Sequence, residues 1–133
     1  MAIYGVGAFH GGDEDVSDEF IQNNIVGVGW STSDAPELQE YVKSLKVGDI
    51  VYIKSANFGS PITVKAIGII KDNIILGRND NPYIETGRNV KWLNTEKFII
   101  DKPIEKNNVR SNTIYEEFHP FVQQKIIAQL YKK

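Results

Sequence analysis

The sequence contains no cysteine. That excludes disulfide bridges, thiolate metal sites and thiol nucleophiles, and it suits a reducing compartment such as the cytoplasm. Histidine is almost as scarce, with His10 and His119 alone. Neither falls in an H-x-x-x-H, H-E-x-x-H or H-x-E spacing, so no metal is expected, and no motif implies another cofactor. Long apolar runs are also missing. None approaches the roughly eighteen residues that a membrane-spanning helix takes, so a membrane is not an expected partner. The opening MAIYGVGAFHGGDEDV has no basic stretch followed by a long apolar one, and it reads as carrying no secretory signal. Neither sign of charge dominates: 15 Lys and Arg stand against 17 Asp and Glu, for a formal net charge of −2. Phosphate neutralisation supplies most of the affinity of duplex binders, so any basic face here must be local.

What is present fits one domain across residues 1–133. Hydrophobic residues make up 41% and charged residues 24%, enough for one core and a solvated surface. Five acidic residues, Asp13, Glu14, Asp15, Asp18 and Glu19, cluster near the start and read as a solvated loop and first helical turn.

The hydrophobic pattern predicts many short strands and few helices. Residues 3–8 read as a strand that carries Gly5 and Gly7, and residues 25–30 as a second with Gly27 and Gly29. Glycine inside a strand marks a bulge or a close approach of backbone or ligand. Residues 17–23 read as a short helix burying Phe20 and Ile21. Ser33 or Asp34 caps a second helix with Pro36 in its first turn, and Leu38, Tyr41, Val42 and Leu45 give it one apolar face. Residues 50–55 form a strand with Ile50, Tyr52 and Lys54 on one face and Val51, Ile53 and Ser55 on the other. Residues 62–70 form another, Asp72-Asn73 a turn, and 74–76 a further short strand. Residues 77–87 read as an exposed loop, 89–95 and 98–100 as strands, and 113–115 as a short strand. His119-Pro120 opens a C-terminal helix with Val122, Ile126 and Leu130 on its apolar stripe. Short strands with a few helices define an α+β chain built on a small mixed barrel.

Catalytic constellations are weak. His10 lies in a glycine-rich loop next to Asp13, a pair that could support acid–base chemistry with a serine, but no nucleophile-elbow sequence is present. The glycines at 5, 7, 11 and 12 do not match G-x-x-x-x-G-K-[ST], and no long helix follows them, which excludes a P-loop. The aromatic residues are more suggestive. Tyr4, Phe9, Trp30, Tyr52, Phe58 and Trp92 lie at or near strand ends and glycine-rich turns. Such rings either fill the core or stack on a base, at about 1–3 kcal/mol per base. Trp30, between a glycine-rich strand and a Ser-Thr-Ser run, is the best placed as a pocket wall.

Several segments resemble a known family. Leu45-Lys46-Val47-Gly48-Asp49-Ile50-Val51-Tyr52-Ile53-Lys54-Ser55 is similar to the K-x-G-D segment of EVE-type domains of the PUA-like superfamily. Residues 64–70 resemble their next strand, and Asn89-Val90-Lys91-Trp92-Leu93 with Phe98 and Lys102-Pro103-Ile104 resembles a later run. The start, and Asn112-Thr113-Ile114-Tyr115, resemble the reader-like N-terminal domains of McrB-type restriction ATPases, of which this chain looks like a stand-alone version. The resemblance spans about residues 2–115.

The resemblance implies a small PUA-like mixed β-barrel with peripheral helices and a C-terminal helix. It also implies a pocket for a modified or flipped nucleobase, hence a nucleic-acid partner and a role in restriction or defence. Trp30 would then stack on the base, Ser55 would hydrogen-bond to it, and Gly5, Gly7, Phe9 and His10 would line the approach. Asn89 and Trp92 would form the opposite rim, and Lys54, Arg88 and Arg110, with Ser111 and Asn112, would contact phosphate. Three other readings stand beside this one. The chain could bind a free nucleotide or nucleotide-derived signal in phage–host conflict, hydrolyse a modified nucleoside, or act as an interaction domain through its C-terminal helix. The charge balance keeps the free nucleotide in contention.

Overall fold

The structure, a computed structural model, describes residues 2–10, 14–29, 36–55, 61–101 and 113–130. Its first half holds β1 (Ile3–Gly7), β2 (Phe9–His10), β3 (Glu14–Asp15), α1 (Ser17–Asn23), β4 (Ile25–Val28) and α2 (Pro36–Ser44). Then come β5 (Ile50–Ser55), β6 (Ile62–Gly77), β7 (Thr86–Asn94), β8 (Phe98–Ile100), β9 (Ile114–Glu116) and α3 (Pro120–Gln129).

Local chemistry sets the element ends. Asn24 ends α1 in the left-handed region at φ 56°, where an asparagine is tolerated, and its N–H returns to the carbonyls of Phe20 and Ile21. Gly48 turns the chain from α2 into β5 at φ 89°, a conformation that favours glycine. His119 caps α3, its Nδ1 accepting from the Phe121 N–H, and Pro120 occupies the first turn, where its missing N–H costs nothing.

The α+β class holds, with the C-terminal helix in place. The barrel does not close. Among the described residues the main sheet runs β4-β7-β6-β5-β1-β9, with β8 added on β6, while β2 and β3 pair separately. The β1–β5 pair is parallel and the other pairs are antiparallel. Closure would need β9 to meet β4. Instead α2 reaches the outer edge of β9, where the Glu116 N–H donates to the Tyr41 hydroxyl at 3.0 Å.

Two expectations about the middle of the chain change. The turn at Asp72-Asn73 is a bulge within one continuous strand, because β6 keeps the same partner on both sides of it. Ile70 pairs with Val90 and Ile75 with Arg88, so residues 71–74 loop outward. The loop expected at residues 77–87 ends earlier, at Thr86, and buries Ile84. The cause is a pair of glycines. Gly27 and Gly87 face each other across β4 and β7, and a Cβ on either would lie 2.5–2.6 Å from an Ile84 methyl group.

The sheet has two apolar faces. Tyr4, Val6, Val51, Ile53, Ala66 and Val90 pack on one side with Phe20 of α1 and Val42 of α2. Ile3, Ile50, Tyr52, Ile62, Ile67 and Tyr115 pack on the other with Val122 and Ile126 of α3. The alternation expected along β5 is therefore real, but both of its faces are covered.

Candidate functional site

Polar side chains gather on the α3 side of the sheet, where the parallel strands β1 and β5 end together. Strand alternation puts Gly5 and Gly7 of β1 on that face, and the register sets Gly5 beside Tyr52 and Gly7 beside Lys54. Tyr115 of β9 lies opposite Gly5, and its ring fills the space that a side chain at that position would take. The Tyr52 hydroxyl is 2.8 Å from the Tyr115 hydroxyl and donates to Glu117 Oε1 at 2.9 Å. The other Glu117 oxygen accepts the His119 N–H, and its carbonyl accepts from Gln123 Nε2, tying the cluster to the start of α3. Burial, with Tyr115 and Glu117 adding to it, raises the Tyr52 phenol well above its usual range and keeps it protonated.

Lys54 stands beside this cluster, near the end of β5. The β5–β6 register shifts between Ile53 and Lys54, leaving Lys65 as the extra residue on β6. Bulges re-aim neighbouring side chains. The Lys54 ammonium lies 5.5 Å from the Tyr115 ring centroid, within cation–π range. Lys54 is only 7% exposed, and burial pushes its amine down from 10.5 to about 8. Glu117 fixes the phenol pair, and of these groups only the Lys54 ammonium carries the positive charge that an anionic ligand would need. Among the described residues no group of three or more His, Cys, Asp or Glu side chains could hold a metal ion.

The structure separates the residues that the sequence suggested for one site. Gly5, Gly7 and Lys54 do share one face, while Ser55, partly buried and paired with Thr63, alternates to the other. Arg88 is a correction. Its side chain is 1% exposed and turned inward, donating to the carbonyls of Val42, Lys43, Leu45 and Asp72. It is a structural anchor and not a phosphate contact, because burial and four backbone acceptors fix it against α2 and the β6 bulge. Asn89 donates to the Asp72 carboxylate at 3.1 Å. Trp92 packs on the opposite face of the sheet from Tyr52 and donates its indole N–H to the Phe20 carbonyl at 3.2 Å. Trp30, Arg110, Ser111 and Asn112, and the side chains of Phe9 and His10, lie outside the described residues. So does Asp13, so the His–Asp pair does too.

Tyr115 and Glu117 were missed as site residues. One signal pointed towards them: the β5 alternation put Tyr52 and Lys54 on one face, and a buried lysine needs polar neighbours.

Fold and site together define an α+β chain with an open, mostly antiparallel sheet and a polar cluster at the parallel β1–β5 junction. Residues 31–117 match a family described as a domain of unknown function, DUF8426, and the chain belongs to that family. Tyr52, Lys54, Tyr115 and Glu117 fall inside the matched span, while Gly5 and Gly7 precede it. No curated protein matches the chain. No helix among the described residues is long and apolar enough to cross a membrane.

Proposed function

We propose that the chain is a PUA-like binding module that takes a nucleobase-bearing ligand, without turnover, where β1 and β5 end. One observation carries this reading. Gly5 and Gly7 share a face with Tyr52, Lys54 and Tyr115, so a glycine backbone at position 7, an aromatic pair and a buried cation meet where β1 and β5 end. An aromatic wall with a few placed polar groups is the usual composition of a small-ligand site.

A free nucleotide is favoured over a base within duplex nucleic acid by the placement of two cations. Arg88 is committed to backbone carbonyls, and Lys65 is paired with Asp15 at 2.5 Å. Neither is left to follow a phosphate backbone. Titration calorimetry with nucleosides, nucleotides, and plain and modified oligonucleotides tests the proposal. It expects binding of at least one nucleobase compound with no product formed. Silence across that panel, or turnover of a modified nucleoside, would overturn it.

A further inference from the structure

Exposed aliphatic side chains gather where α2 turns into β5. The turn there is laced to the β6 bulge. The Gly48 N–H donates to the Ile70 carbonyl and the Ile70 N–H to the Asp49 carbonyl, both at 2.9 Å. Arg88 joins the Leu45 carbonyl to that of Asp72. Val47 stands on the turn and is 52% exposed, and Ile74 stands on the bulge at 56%. Ile75, opposite Arg88 in the β6–β7 register, is 42% exposed.

The charges at this end are sorted by direction. Its acids are turned inward. The Asp49 carboxylate accepts the N–H groups of Ala2 and Lys46, and Asp72 accepts from the Asn89 side chain and the Ile74 N–H. Its exposed cations face water. Lys46 precedes Val47 and Lys71 opens the bulge, and neither has an ion-pair partner among the described residues, whereas Lys43 is matched by Glu40. Lysine and aliphatic side chains thus reach solvent together, on a tight turn and on residues 71–74, which loop outward.

We infer that this end of the molecule is a docking tip for an anionic lipid surface, separate from the β1–β5 site. The tip is convex, so a protein partner would have to supply a matching hollow. A phosphate backbone would gain nothing from Val47 and Ile74. A bilayer interface takes both kinds of side chain, because aliphatic groups enter the acyl boundary while lysines stay among the headgroups. Lying on a surface in this way is distinct from spanning it, and needs no long apolar helix. Two lysines and three aliphatic side chains make a weak, reversible attachment.

Co-sedimentation with phosphatidylcholine vesicles, and with the same vesicles carrying phosphatidylserine, tests the inference. Wild type should bind the anionic vesicles, and raised salt or omission of phosphatidylserine should release it. Lys46→Gln combined with Lys71→Gln should weaken binding by about tenfold or more. Val47→Ser combined with Ile74→Ser should weaken it by a similar factor. All four positions are exposed, so melting temperatures should stay at the wild-type value. Ile99→Ser, on β8 at a position 66% exposed, is the control and should bind like wild type.

The inference is overturned if wild type does not sediment with the anionic vesicles, if either paired variant is folded and binds them like wild type, or if Ile99→Ser loses as much as the pairs do. A labelled single-stranded oligonucleotide is the competing anion. Oligonucleotide binding that depends on Lys46 and Lys71 but not on Val47 and Ile74, with no vesicle bound, would assign the tip to nucleic acid and overturn the lipid reading as well.

Discussion

The Arg88 guanidinium donates to the carbonyl of Leu45, just past the end of α2. The same Nη1 reaches the Val42 carbonyl at 3.2 Å, and Nη2 bonds the Asp72 carbonyl at 2.7 Å in the β6 bulge. A helix leaves its last four carbonyls unsatisfied and carries partial negative charge at that end. One buried arginine answers both and locks the bulge to the helix. Arg88→Ala should cost about 3–5 kcal/mol, because it strands several buried acceptors and opens a cavity. Urea unfolding of the variant reads this directly. Lys offers one point charge where Arg offers a fork, so Arg88→Lys should recover only part of the loss.

The Lys54 amine gives stability an unusual pH dependence. Burial lowers it to about 8 in the folded chain, against 10.5 as its ordinary value. Below pH 8 both folded and unfolded chains are charged there, and the cost of burying the charge is fully present. Above pH 8 the folded chain releases the proton that the unfolded chain keeps, so stability rises, by roughly 3 kcal/mol once pH passes 10.5. Tyr4, raised to about 12 chiefly by burial, and Tyr52, raised well above 10, act in the opposite sense above pH 10. The folded chain holds their protons when the unfolded chain has lost them. Thermal unfolding midpoints should therefore climb from pH 8 and turn over near pH 10. In Lys54→Met the climb should vanish and the protein should be more stable at pH 7.

Tyr52→Phe tests the polar cluster. It removes the hydroxyl that bonds both Tyr115 and Glu117, leaving buried polar atoms short of a partner. A loss of about 1–3 kcal/mol is expected from chemical denaturation. Part of the stability loss above pH 10 should go with it.

Gly5→Ala and Gly7→Ala should differ although they stand two residues apart on the same face. The first drives a methyl group into the Tyr115 ring and should cost about 1–3 kcal/mol. The second meets only ordinary contacts and should be neutral or stabilising. A single series of melting curves compares them.

The elements were largely legible in the sequence because periodicity is local. The α1 helix, β5 and β8 fall where the pattern places them, and His119-Pro120 marks the start of α3. What was not legible depends on distant partners. The β6 bulge reads as a turn because Asp72-Asn73 is turn chemistry, and only continued pairing with β7 keeps the strand running. Arg88 looks like a surface cation until α2 supplies its carbonyls. That the sheet stays open, with β4 and β9 at its ends, follows from strand pairings far apart in sequence. In the site, Gly5, Gly7 and Lys54 came together through register, which residue spacing can suggest. Tyr115 and Glu117 arrive from some sixty positions further along, and the β5 alternation showed only that Tyr52 and Lys54 needed polar neighbours, not which residues supply them.

The parallel pairing of β1 with β5 also sets an order of events during synthesis. Ile3 pairs with Ile50, so the first strand emerges with nothing to pair with until about fifty more residues are made. At typical elongation rates that is roughly 2–10 s. Its other neighbour, β9, comes more than a hundred residues later. Two uncharged glycines in an unpaired apolar strand make a vulnerable edge for that interval. The strand that carries Gly5 and Gly7 is thus completed on both sides only when the chain is nearly finished.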